Sequence, residues 1–123
     1  MREITSHKVN GCNEALRIVV MDDPGHGGAC HHYQIELPAP PDEDYEVVEI
    51  DFQNGPIAEA GVNGVTHEAL LAILIDRLES FQAGPYKCAE NQDALDHLRK
   101  AMTALQDRTL KRVARGVEGT HTV

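Results

Sequence analysis

Residues 66–115 read THEALLAILIDRLESFQAGPYKCAENQDALDHLRKAMTALQDRTLKRVAR. Thr66 is a good N-cap for a first helix, and Gly84–Pro85 is a pair typical of a helix stop followed by a turn. A second helix follows this turn and is expected to stop at Gly116. Apolar residues spaced by three and four give the second helix a stripe that can pack along the first: Leu95, Leu98, Met102 and Leu105. The stretch therefore predicts an αα-hairpin.

The residues before the hairpin predict β structure. Three short runs rich in apolar and β-branched residues are separated by turn-forming segments: Ala15–Met21, Cys30–Leu37 and Tyr45–Phe52. No helical pattern lies between the runs, so neighbouring strands are expected to pair antiparallel. The fold class predicted is α+β, in a single domain of 123 residues. Its N-terminal antiparallel β-sheet covers about residues 1–55, and the C-terminal αα-hairpin covers about residues 66–115.

Composition excludes several classes of protein. Hydrophobic residues make up 41% and charged residues 25%, as in an ordinary globular domain. The net charge of −9 argues against a protein that binds the phosphate backbone of duplex nucleic acid. No apolar run is long enough to span a membrane, and the first ten residues lack the hydrophobic segment of a secretory signal. Three cysteines, an odd number, favour reduced thiols in a cytoplasm.

The centre of the first predicted helix, residues 69–75, reads ALLAILI and is apolar on nearly all sides. A helix at the surface of a monomer normally keeps one polar face for water. We therefore expect a subunit interface on this helix and predict a homo-oligomer. The alternative is a helix enclosed on every side by its own chain.

Basic side chains are concentrated near the end of the second helix. Residues 99–115 carry six of the eleven Lys and Arg residues and one acidic residue. Arg108, Arg112 and Arg115 are spaced by four and three, so they share one helix face. Arginine matches the oxygens of a phosphate in a bidentate manner, and this face predicts an anionic ligand. Alternatively, the arginines complement the helix dipole, with Glu118 as the partner of Arg112.

Two other groups of residues are candidates for ligand contacts. Phe81 and Tyr86 flank the predicted turn and could stack a base, and Asn91 could read a base edge. Packing at the hairpin tip is the other use of these rings. The second candidate phosphate site is Asn63–Gly64–Val65–Thr66, which lies just before free helix N–H groups. A simple capped loop is the alternative there.

The sequence shows no recognisable catalytic or metal-binding motif. It lacks GxSxG, and its glycine-rich stretches fit neither phosphate-binding loop pattern. Five Cys and His residues lie close together in the N-terminal part, but without the paired spacing of a zinc site: Cys12, His26, Cys30, His31 and His32. We therefore predict no catalytic residue, no metal and no cofactor.

Several stretches resemble a known family. They are MREITSHKVN and MDDPGHGGACHHY in the N-terminal part, NGPIAEAGVNGVTHEALLAILIDRLESFQAGPYKCAENQDAL over residues 54–95, and RTLKRVARGVEGTHTV over residues 108–123. Together they resemble phage-encoded nucleotide sponges, the Thoeris anti-defence proteins of the first type. Those proteins share their helical hairpin with the sponges that counter CBASS immunity. The resemblance is strongest over residues 53–123.

The resemblance implies sequestration of a signal. In an infected bacterium, a TIR-domain enzyme of the Thoeris system makes a cyclic ADP-ribose isomer, and the sponge removes this isomer in the host cytoplasm without degrading it. Family members are homo-oligomers, dimers or dimers assembled into hexamers, and some also bind cyclic oligonucleotides at separate sites. The alternatives are an enzyme that degrades a cyclic nucleotide signal and a phage protein-interaction module whose arginine face meets an acidic protein.

The family's motif also implies roles for particular residues. Phe81 would stack the base, Asn91 would hydrogen-bond the ligand, and Arg108 and Arg112 would hold its phosphates. The sequence departs from the family at Ala89, where an arginine often stands. Asn91 and Arg108 are 17 residues apart on one predicted helix, a distance of about 25 Å. A ligand that contacts both an Asn91 and an Arg108 must therefore lie between two subunits.

Overall fold

A computed structural model describes all 123 residues of the chain, Met1–Val123. Contacts divide the chain into two compact units: Met1–Gly55 with Ala60–Gly64, and Pro56–Glu59 with Val65–Val123. We call these the sheet unit and the helical unit. That they act as a single domain stays a prediction of the sequence.

The sheet unit contains an antiparallel sheet of four strands in the order β1-β2-β3-β4. The strands are β1 (Arg2–Ile4), β2 (Arg17–Val20), β3 (His32–Leu37) and β4 (Glu46–Asp51). Strands β2, β3 and β4 lie within the three predicted runs, and the α+β fold class is confirmed. Strand β1 was not predicted, because its three residues are too few to show an alternating pattern.

Local signals account for the elements between the strands. The helix α1 (Gly11–Ala15) precedes β2, and the Asn10 side chain caps it by accepting from the Asn13 N–H at 2.8 Å. This short helix was not predicted.

Val19 and Val20 of β2 are buried together with Cys30, and they form the core of this unit. Phe52, which follows β4, packs edge-on against the ring of Tyr33 at 5.5 Å between centroids.

One carboxylate fixes the corner between β2 and β3. Asp22 accepts the backbone N–H of His31 at 2.9 Å and that of His32 at 3.1 Å. The His31 N–H, followed by the His32 N–H, lowers the pKa of the Asp22 carboxyl below its ordinary value. The charged form of Asp22 is therefore the form that stabilises the corner.

A loop after β4 closes the sheet unit with side-chain to backbone bonds. The Asn63 side chain accepts from the Asn54 N–H at 2.8 Å and donates to the Asn54 carbonyl at 2.7 Å. The Asn63 N–H donates to Gln53 Oε1 at 3.0 Å. These bonds draw Gly64 so close to the chain that a Cβ there would lie 2.4 Å from the Phe52 carbonyl carbon. Only glycine fits this approach.

The helical unit contains α2 (Ile57–Ala60, whose last residue belongs to the sheet unit) and the predicted hairpin, α3 (His67–Gln82) and α4 (Ala89–Ala114). The Thr66 hydroxyl caps α3 by accepting from the Ala69 N–H at 3.1 Å. Leu95 of the predicted stripe is only 2% exposed, and Arg99 of α4 pairs with Glu79 of α3 at 3.1 Å. The hairpin prediction is confirmed. No helix of the chain combines the length and apolarity needed to cross a membrane.

Replacing Gly64 with alanine should destabilise the sheet unit. The new Cβ meets backbone atoms that cannot move away cheaply, so we expect a loss of about 1–3 kcal/mol in the free energy of unfolding. Gly11→Ala is the matched control, because a Cβ at Gly11 meets no atom within 4 Å. Urea unfolding followed by circular dichroism measures both variants, and equal midpoints would contradict the close approach.

Stability should also depend on Asp22 in a pH-dependent manner. Because the folded-state pKa is lowered, the carboxylate stabilises the fold above its unfolded pKa of about 3.9 and loses this effect as pH falls through the folded pKa. Asp22→Asn should therefore lower the thermal midpoint most at neutral pH, and the difference should shrink at acidic pH. A difference that is constant from pH 7 to pH 3 would argue against this role.

Candidate ligand-binding site

A cavity of about 470 Å³ lies where α3 ends and the hairpin turn begins. We call it the aromatic cavity. Its wall includes both predicted rings, Phe81 and Tyr86, whose centroids are 6.4 Å apart at an interplanar angle of 70°. Phe81 is half-buried, whereas Tyr86 is 75% exposed. The cavity is therefore a partly open aromatic corner at the tip of the hairpin.

The aromatic cavity also contains a cation, Arg77, that was not among the predicted site residues. The guanidinium carbon of Arg77 lies 5.0 Å from the centroid of the Phe81 ring, in cation–π contact. Asp76 and Ser80 complete this side of the wall. The spacing of four residues between Arg77 and Phe81 is the signal that could have found the contact, because such residues are neighbours on a helix surface.

Asn91 lies in the first turn of α4 and is not part of the wall of the aromatic cavity. Its backbone N–H donates to Sγ of Cys88, which caps the helix, at 3.4 Å. The side-chain amide of Asn91 has no hydrogen-bond partner within the chain, and the residue is half-buried. It is thus available to a ligand, but the structure joins only Phe81 and Tyr86 of the three turn candidates in one cavity.

The three predicted arginines meet in a second cavity, of about 400 Å³, near the C-terminal end of α4. We call it the basic cavity. Arg108, Arg112 and Arg115 all line it, together with Lys111. Lys111 is paired with Asp107 at 3.0 Å, whereas Arg108 is exposed and has no ion pair or hydrogen bond to its side chain. The unpaired charge of Arg108 is the feature most open to an anion.

Arg112 is the one buried charged residue, at 8% exposure. Residues 117–123, which we call the tail, curl around its guanidinium. Nε donates to the Glu118 carboxylate at 3.1 Å, and Nη2 donates to the carbonyls of Val117 at 2.9 Å and Thr120 at 3.3 Å. Nη1 donates to the Thr122 carbonyl. Glu118, which the sequence offered as an alternative partner for Arg112, is therefore its partner in the structure.

The tail begins at a helix stop that the sequence predicted. Gly116 has a positive φ of 72°, and the Val117 N–H returns to the Arg112 carbonyl at 3.1 Å.

Farther along the tail, the Gly119 carbonyl accepts from the Ala58 N–H at 3.0 Å, and His121 contacts the Glu59 carboxylate at 2.8 Å. Arg115 adds a bond to the Val123 carbonyl at 2.9 Å. The tail is thus held by Arg112, Arg115 and α2.

The residues of the second predicted phosphate site have contacts within the chain. Asn63 holds the backbone of Asn54, and Gly64 provides the close approach described above. The Thr66 hydroxyl is used in capping α3. These are the contacts of a capped loop, which was the alternative interpretation. Phosphate binding by these residues stays a prediction.

The Cys and His residues of the N-terminal part do not assemble into a metal site. No group of three or more His, Cys, Asp or Glu residues is placed to hold a metal ion. Cys30 is buried, Cys12 is exposed, and His31 Nε2 lies 3.0 Å from the His26 carbonyl oxygen.

The chain combines an N-terminal antiparallel sheet with a C-terminal αα-hairpin. The hairpin carries an aromatic cavity and a basic cavity. The sequence profile of the Acb2/Tad1 hairpin domain matches residues 44–109, more than half of the 123 residues, and the chain belongs to this family. The matched range includes Phe81, Tyr86, Asn91 and Arg108. The family resemblance inferred from the sequence is confirmed.

A particular relative adds to this assignment. The chain is similar to Thoeris anti-defense 1 of Bacillus phage SBSphiJ7, with 47% identity over 72 residues. These residues are 58% of this chain and 51% of the relative. The chain therefore spans about half the length of the curated relative that it matches.

Replacing Arg112 with alanine should release the tail. The substitution leaves one carboxylate and three carbonyls without their donor, so we expect a loss of about 1–3 kcal/mol in stability. Hydrogen exchange of the amides of residues 117–122 should become faster, while exchange around Leu95 stays slow. Arg108→Ala is the matched control, because Arg108 has no partner to lose. A tail that stays protected in Arg112→Ala would contradict the role of the guanidinium.

Proposed function

We propose that this chain binds and sequesters a cyclic ADP-ribose-type signal of Thoeris anti-phage defence, without degrading it, inside the infected bacterium. Two findings support the proposal: membership of the Acb2/Tad1 hairpin family and identity of 47% to a phage protein named Thoeris anti-defense 1. Cyclic oligonucleotides are additional candidate ligands, as the family resemblance implies.

The observation that carries the proposal is the pairing of two chemistries in the helical unit. The aromatic cavity offers rings on which a base can stack, and the basic cavity offers arginines that match a pyrophosphate. A cyclic ADP-ribose isomer contains both a purine and two phosphates, so it needs both kinds of contact. In this proposal Phe81 and Tyr86 stack the base, and Asn91 hydrogen-bonds the ligand.

The arginines divide into two groups by their availability. Arg108 is unpaired, and we propose it as the first phosphate contact. Arg115 gives one donor to the Val123 carbonyl and keeps others for a ligand. Arg112 can hold a phosphate only when it exchanges tail contacts for it, since its donors face Glu118 and the tail carbonyls. A phosphate would replace the Glu118 carboxylate as the negative partner.

The geometry favours a site shared by two copies of the chain. Helix α4 is continuous from Ala89 to Ala114, so Asn91 and Arg108 are about 25 Å apart within one copy. Apolar side chains of the helical unit are also exposed, with Ile73 at 64%, Leu110 at 67% and Val113 at 57%. Such exposure is typical of an interface. We propose a homo-oligomer, a dimer or dimers assembled into a hexamer, in which the hairpin end of one copy meets the basic cavity of another.

Sequestration needs tight binding of the ground state and no stabilisation of a transition state. An aromatic cavity, an amide and arginines are sufficient for such binding. We therefore propose that the protein acts by stoichiometric capture rather than by catalysis.

Binding of the signal should depend on both cavities. With the cyclic ADP-ribose isomer made by a purified TIR-domain enzyme as the probe, calorimetry should show stoichiometric binding by the wild type. Phe81→Ala and Arg108→Ala should each weaken binding about 10- to 100-fold, because each removes stacking or a charge-assisted bond. Arg17→Ala, which removes the same charge from the sheet unit, should bind as the wild type does.

Two further readouts separate the proposal from its alternatives. Heat denaturation of the loaded protein should return the intact isomer to solution, whereas linear ADP-ribose that accumulates with time would indicate an enzyme. Light scattering of the wild type at micromolar concentration should give the mass of a dimer or hexamer. A monomer that binds with full affinity would contradict the shared site.

A further inference from the structure

The hairpin turn is closed by one side chain, that of Gln82, the last residue of α3. Gln82 Oε1 accepts the backbone N–H of Cys88 at 3.1 Å, and Gln82 Nε2 donates to the Cys88 carbonyl at 3.1 Å. A further contact of Nε2 reaches Gln92 Oε1 at 3.3 Å. One amide thus holds both backbone groups of the residue that caps α4. We call these contacts the Gln82 brace.

The brace joins the two ends of the connection Ala83–Cys88. Within this connection the backbone bonds are local, such as the Gly84 N–H to the Phe81 carbonyl at 3.1 Å and the Lys87 N–H to the Gly84 carbonyl at 3.4 Å. Neither bond reaches α4. The brace is therefore the polar contact that fixes where α4 begins relative to the end of α3.

All three proposed ligand contacts at this end of the hairpin depend on that placement. Phe81 precedes Gln82 directly, Tyr86 lies inside the connection, and Asn91 follows the cap residue Cys88 by three positions. The Asn91 N–H is itself bound to Cys88 Sγ at 3.4 Å. Moving Cys88 would therefore change the spacing of the two rings and of the amide together.

The rest of the hairpin does not need the brace in order to fold. Leu95 is buried at 2% exposure, and the Arg99–Glu79 pair links the helices farther from the turn. Thr66 and Cys88 cap the two helices independently of the Gln82 side chain. Loss of the brace should thus loosen the turn and leave the helices in place.

We propose that Gln82 is a positioning residue for ligand binding. Its amide holds Cys88 so that the Phe81–Tyr86 corner and Asn91 are arranged before the ligand arrives. A turn that is already ordered loses less conformational entropy on binding, and the affinity is correspondingly higher. This inference rests on the proposed function, since it assigns Gln82 to the same site.

Gln82→Met tests the proposal, because methionine keeps the length and helix propensity of glutamine and removes its hydrogen bonds. With the TIR-produced cyclic ADP-ribose isomer as the probe, we expect about 5- to 20-fold weaker binding. Gln106→Met is the matched control, since Gln106 is an exposed residue of α4 without a hydrogen bond to its side chain. The control should bind as the wild type does.

A double-mutant cycle distinguishes positioning from a general loss of stability. If Gln82 acts by placing Phe81 along with Tyr86 and Asn91, Gln82→Met should cost less affinity in a Phe81→Ala background than in the wild type. The inference would be overturned if the losses of affinity caused by Gln82→Met and Phe81→Ala were fully additive. Wild-type affinity of Gln82→Met would overturn it as well, and in both cases the proposed function would stand. Gln82→Glu keeps the acceptor for the Cys88 N–H but loses the donor to the Cys88 carbonyl, so it should bind more weakly than the wild type.

The brace can also be measured without a ligand. In the free protein, exchange of the Cys88 amide hydrogen should be faster in Gln82→Met than in the wild type, and exchange around Leu95 should not change. Unchanged exchange at Cys88 would overturn the brace. A wild-type protein that fails to bind the probe would reject the proposed function instead, and the exchange result would still decide whether Gln82 orders the turn.

Discussion

A guanidinium can be buried only if acceptors surround its N–H groups, and this requirement organises the C-terminal part of the helical unit. Arg112 occupies a position in register with the apolar stripe of α4, where a hydrophobic residue would need no partner. Because it is an arginine, four oxygens of the tail turn toward it. The course of residues 117–123 and their contacts with α2 follow from this one buried charge.

The same charge also bears on the proposed function. A guanidinium that coordinates a carboxylate and carbonyls has the donor geometry that a phosphate needs. The tail is thus an internal substitute for an anion, and a ligand that uses Arg112 has to compete with it. Arg108, one turn away and unpaired, has no such competitor. For a ligand that uses Arg112, the affinity of the basic cavity therefore reflects the free energy of the ligand contacts minus that of the tail contacts they replace.

At the other end of α4 the constraint is conformational. The connection between α3 and α4 carries an exposed ring and contributes to the aromatic cavity, yet its own backbone bonds are local. The Gln82 amide supplies the link across it with two bonds to a single residue. Arg77, which covers part of Phe81, shows that the ring already attracts a planar cation in the free chain. In the free chain the hairpin tip thus carries both an amide that bridges the connection and a ring in contact with a cation.

The sequence by itself determined the α+β class, three of the four strands and both hairpin helices. Their signals are local: the Thr66 cap, the Gly84–Pro85 stop, the stripe around Leu95 and the Gly116 terminator act within a few residues. It also placed Phe81, Tyr86 and the arginines at opposite ends of the hairpin. Only the tertiary structure decided that Arg112 faces the tail, that Gln82 holds Cys88 and that β1 pairs with β2. Those contacts depend on how side chains and distant backbone groups meet after folding, and the spacing of residues along a chain does not specify which acceptor a buried donor will find.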